Sequence, residues 1–153
     1  MKQIFKQVFN LVALMSISFS SLANVMLVDG HVRAMPPSVP NSAAYFTLMN
    51  HGPSINLIGV EVAFANEAQL HTVLEEDGMV KMRQVPSFEV PEHGTLTLSQ
   101  SGEHVMLLGL NQPLVTGDSV ELILQFDDGS KLPISLKVSK QGMAKMDGHE
   151  HHH

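Results

Sequence analysis

Turn-forming clusters interrupt this chain at short intervals, from "PPSVPN" and "HGPS" through "EEDG" and "PEHG" to "DDGS". The apolar segments left between them are of strand length: "SAAYFTLMN", "INLIGVEVAF", "AQLHTVL", "MVKMRQV", "FEV", "TLTLS", "HVMLLGL", "DSVELILQF" and "KLPISLKV", after a first one, "NVMLVDGHVRAM". None carries a convincing helical period, and no internal repeat is present. Many short strands at regular spacing predict an all-β, antiparallel sandwich or barrel. "EEDG" and "DDGS" sit where hairpin loops belong.

The two ends of the chain do not fit that pattern. Residues 1–23 begin "MKQIFKQVFN", continue with an apolar run too short to span a bilayer, and finish on "SLA". This is the layout of a secretory signal peptide, with cleavage expected after Ala23. The folded domain is then expected over 24–140, since beyond it "QGMAKMDGHEHHH" reads as a polar, flexible tail over 141–153. Removal of Lys2 and Lys6 with the leader takes the formal charge from −6 to −8. Such an acidic chain is a poor partner for nucleic acid or anionic lipid. No segment after the leader is expected to insert in a membrane.

The chain has no cysteine. That excludes a disulfide framework, a thiolate zinc site and the cysteine-ligated blue-copper centre. Ten methionines and nine histidines stand against one tyrosine and no tryptophan. Thioether and imidazole are the soft and borderline metal ligands that remain without thiolate.

Two local pairs stand out. In a strand, His104 and Met106 of "EHVM" share a face, with Val105 opposite. Around "EEDG", a four-residue loop puts His71 opposite Met82, and a two-residue Asp77–Gly78 loop makes them diagonal neighbours. Either register leaves the two side chains on one face, within reach of a common ligand. If the fold joins the two pairs, the product is a neutral site of two imidazoles and two thioethers. That set suits Cu(I) over Zn(II), Mg(II) or Ca(II). Taken singly, each of these residues reads more cheaply as packing.

The spacing resembles a known pattern. His71 is followed by ten residues to Met82, then by twenty-one to His104-Val105-Met106. This matches the motif of the PCu(A)C family of periplasmic copper chaperones, and "AAYFTLMN" and "GLNQPLVTGDSVELILQF" also resemble it. The resemblance runs over roughly residues 25–139. It implies a cupredoxin-like Greek-key β-barrel that binds one Cu(I) near its surface through His71, Met82, His104 and Met106. It further implies delivery of copper in the periplasm for assembly of the Cu(A) centre of cytochrome c oxidase, with subunit II or a Sco-like protein as acceptor.

Met143, Met146, His149, His151, His152 and His153 of the tail form a second candidate site, suited by its imidazoles to Cu(II). The remaining donors carry no such expectation. His51 and His93 fall in turns, and Met26, Met35 and Met49 read as core or loop. The expected function is therefore that of a monomeric copper carrier with at least one exposed ligand. A copper buffer or resistance protein dominated by the tail is the alternative. Catalysis is not expected. A histidine-brace monooxygenase needs an N-terminal histidine where Asn24 is expected, and a dismutase needs more grouped imidazoles than the domain offers.

Overall fold

The computed structural model describes residues 24–140. The predicted leader (1–23) and the tail site, Met143 to His153, lie outside the described residues. The described chain is all-β, with ten strands: β1 (Val25–Arg33), β2 (Asn41–Asn50), β3 (Ile55–Val62), β4 (Ala65–Glu76), β5 (Met79–Gln84), β6 (Phe88–Val90), β7 (Thr95–Thr97), β8 (His104–Leu110), β9 (Ser119–Phe126) and β10 (Lys131–Ser139). They run in the order β5-β4-β8-β2-β1-β10-β9-β3-β6, and β7 pairs with β2 beside β8. The sheet curls until β3 and β4 pack together without sharing a ladder.

The core follows from two-residue alternation. Ala44, Phe46 and Leu48 of β2, Val105 and Leu107 of β8, Val120, Leu122, Leu124 and Phe126 of β9, and Ile134, Leu136 and Val138 of β10 all point inward. Each such side chain contributes roughly 1.5–3 kcal/mol by leaving water. That burial has to hold a chain with no disulfide to assist it. The residues between them face outward, and the outer face of β5-β4-β8-β2 is where the candidate ligands lie.

Antiparallel pairing holds along this order with one departure: β1 and β10 run parallel, His31 to Arg33 against Lys137 to Ser139. They are the first and last strands, so no tight turn dictates their relative direction. A second irregularity lies in β1, where the register against β2 shifts between Leu27 and Asp29. The bulge changes parity, so even-numbered Met26 and odd-numbered His31 come out on the same outer face.

The β4–β5 hairpin takes the shorter of its two expected loops. Glu76 pairs with Met79, and Asp77 and Gly78 both have positive φ, at 53° and 73°. This is the type I′ turn favoured by Asp-Gly between right-twisted strands. Met82 therefore stands opposite Val73 and His71 opposite Gln84, which makes His71 and Met82 diagonal neighbours.

Candidate metal centre

Strand β8 carries the most enclosed ligand of the site. His104 is only 3% exposed although it faces outward. Its Nδ1–H donates to the Gly102 carbonyl at 3.0 Å, which leaves the lone pair on Nε2. Met106 follows on the same face, against Ala43 of β2 and Gln69 of β4.

Strand β4 supplies the second imidazole. His71 and His104 are register partners across the β4–β8 ladder, with ring centroids 5.8 Å apart. Gln69 and His71 share a face because they are two residues apart in a strand. Glu67 accepts from the Gln69 amide at 2.7 Å, which turns the amide oxygen toward His71, and His71 Nε2–H donates to it at 2.9 Å. The His71 lone pair is thus on Nδ1, which is buried and has no hydrogen-bond partner. An orphaned polar atom of this kind costs about 1–3 kcal/mol and calls for an explanation. Burial, aided by the neighbouring His104, holds His71 below the ordinary imidazole range and so keeps that lone pair free of a proton.

Met82 comes from β5, an edge strand exposed along its whole length, and is itself 60% exposed. With His104 and Met106 it lines a cavity of about 320 Å³, together with Arg33, Met35, Asn41, Ser42, Ala43, Tyr45 and Gln100. His71, beside His104 on the next strand, is outside that lining. A larger cavity of about 510 Å³ contains neither histidine nor methionine in its lining. Among the described residues no three His, Asp or Glu side chains gather as a metal-binding group. The soft side-chain donors beside the two imidazoles are the thioethers of Met82 and Met106.

Sequence reasoning did not reach several neighbours of this site. Met35 stands in the cavity wall. The ring pair continues across the sheet, from His104 to Tyr45 (6.3 Å) and on to His31 (5.2 Å). Burial lowers the His31 pKa against the opposing pull of Asp29, and it raises that of Tyr45 against the charge and hydrogen bond of Arg33. The Gln69 support was the one legible piece, since Gln-Leu-His in a strand places amide and imidazole side by side.

The family model described as "Putative lipoprotein LpqE-like" matches residues 25–138. A curated relative, "Putative lipoprotein Lxx21020" of Leifsonia xyli subsp. xyli, is 33% identical over 99 residues, which are 63% of this chain and 60% of that protein. The match thus spans less than two thirds of the relative's length. The solution structure of CuI-DR1885 from Deinococcus radiodurans has 36% identity and a TM-score of 0.64, covering 84% of this chain and 87% of that one. The apo-DR1885 structure has 37% identity and a TM-score of 0.63, over 80% and 83%. The copper-bound PCuAC domain from PmoF2 has 19% identity and a TM-score of 0.65, over 77% and 94%. That last likeness concerns the fold, which is the cupredoxin-like one implied by the sequence resemblance. By the extent of its match, the chain belongs to the LpqE-like family.

Proposed function

We propose that this protein is an exported Cu(I) carrier that binds the ion through His71, Met82, His104 and Met106 and passes it to another copper protein. The observation that carries the proposal is the His71–His104 register pair, in which hydrogen bonds occupy one nitrogen of each ring and leave the other free. Imidazoles tied in this way are already in the tautomer a metal needs. The thioethers of Met82 and Met106 lie on the same outer face and make the set soft and neutral, as Cu(I) prefers. Relatedness to DR1885, a protein solved with CuI, favours the same cargo.

Binding and release follow from unequal ligands. The buried His104 gives the ion a fixed base, and the exposed Met82 is the first donor an incoming ligand can displace. The protein accordingly acts as a binder of copper, and turnover is not part of its role. The predicted leader and the lipoprotein names of its relatives favour an envelope location, with the periplasm as the proposed compartment. The proposed acceptor is the Cu(A) centre of cytochrome c oxidase subunit II or a Sco-like protein, with the tail as an additional Cu(II) ligand set.

Anaerobic titration of residues 24–140 with Cu(I) against a chromophoric chelator tests the proposal. One tightly held equivalent is expected, weakened at least tenfold in Met106→Ala. A domain that fails to compete with the chelator would refute the four-ligand site, and a variant equal to wild type would remove Met106 from it.

A further inference from the structure

A second group of soft donors occupies the other end of the same outer face. Met26 of β1 and Met49 of β2 are register partners, so their Cβ atoms stand about 5 Å apart. Met26 is 49% exposed and Met49 half-buried. His51, just past the end of β2, is exposed and has its Nε2 3.3 Å from the Met26 sulfur. The group lies six residues along β2 from the Ala43–Met106 pairing, hence about 20 Å from the first site.

The geometry points to a second binding site for a soft monovalent ion, Cu(I) or Ag(I), held by His51 Nε2 and the thioethers of Met26 and Met49. Bonds of roughly 2.0 Å to nitrogen and 2.3 Å to sulfur at a tetrahedral angle set the two donor atoms about 3.5 Å apart. The observed 3.3 Å is close to that separation, so the two donors can share an ion after a modest turn of the exposed imidazole. Met49 has three rotatable bonds with which to bring its sulfur to the same point. The two thioethers are neutral and soft and the imidazole binds in its neutral form, a set that disfavours Zn(II), Mg(II) and Ca(II).

The corner bearing His51 is fixed by its neighbours. The Asn50 side chain, 1% exposed, reaches the carbonyls of Pro53, Val90 and Pro91 at 2.8, 3.2 and 3.1 Å and accepts from the Gly52 amide at 2.9 Å. The His51 amide donates to the Asn24 carbonyl at 2.8 Å. The imidazole therefore hangs from a rigid turn, which lowers the entropy lost on binding an ion.

The test is a titration of the chain from Asn24 to His153 with silver nitrate, Ag(I) serving as a redox-inert substitute for Cu(I). Methionine methyl and histidine ring resonances are followed until those of Met143 and Met146 stop moving. The Met26 and Met49 methyls are expected to shift in step with the His51 ring. In His51→Ala their apparent affinity is expected to fall at least tenfold, while Met82 and Met106 titrate as before. His51 is exposed, so the variant keeps its fold, and its amide spectrum checks this. Met26 and Met49 signals that stay fixed in excess Ag(I), or that titrate unchanged in His51→Ala, would overturn the inference. Because Met82 and Met106 report separately, the two sites stand or fall independently.

Discussion

Strands β8 and β5 both bring candidate ligands to the metal centre, yet they are built in opposite ways. On β8, His104 is almost wholly buried, flanked by β2 and β4, and tied through Nδ1 to a backbone carbonyl. On β5 every residue is exposed, and the strand is paired on one side only. Its ion pairs, Glu76 with Lys81 and Arg83 at 3.5 Å, lie in solvent and contribute little. A carrier has to hold an ion and also surrender it. Under the carrier role proposed above, holding falls to the buried strand and surrender to the edge one.

The sharpest way to break this division is His104→Ala. Loss of a buried ligand should lower Cu(I) affinity beyond the roughly 10–100-fold that follows loss of a supporting contact. The same change leaves a void and the Gly102 carbonyl unpaired, so urea denaturation should show a loss of about 1–3 kcal/mol. Met82→Leu sets the other side of the comparison. It removes the thioether at nearly constant volume, and affinity should fall about tenfold, or 1.4 kcal/mol. Stability should stay within about 0.5 kcal/mol of wild type, as for an exposed site. Equal stability losses in the two variants would erase the distinction between the strands.

The smallest effect is one of pH. Burial holds His71 and His31 below the ordinary imidazole value. The unfolded chain takes up these protons near pH 6.5 and the folded protein only at lower pH. The stability they contribute is full above about pH 6.5 and is lost as pH falls through the folded values. The urea midpoint of the metal-free protein should therefore be lower at pH 5 than at pH 7.5, and His31→Gln should reduce the difference. Identical midpoints would mean that neither ring is desolvated as described.

What could be read from the sequence was what local rules govern. His104 and Met106 share a face by strand parity, and His71 meets Met82 because Asp-Gly favours a type I′ turn. The partnership of His71 with His104 was beyond local rules, since it is a ladder between strands far apart in sequence, and only the family resemblance implied a shared site. Nor was the grouping of Met26 with Met49, because the bulge between Leu27 and Asp29 breaks the parity by which outward residues are counted. The type of fold was clear from turn spacing. The parallel closure of β1 on β10 was not, because nothing local connects the two.

That closure bears on when the protein can fold. The hydrogen-bonding edge that β1 presents at Val32 and its neighbours is completed only by residues 137–139, close to the end of the domain. Contacts so distant along the chain form late, after a large loss of loop entropy. Until the last strand has emerged from the ribosome, β1 lacks one neighbour and β9 also lacks its partner β10. A chain arranged in this way cannot close its sheet until its last strand has been made.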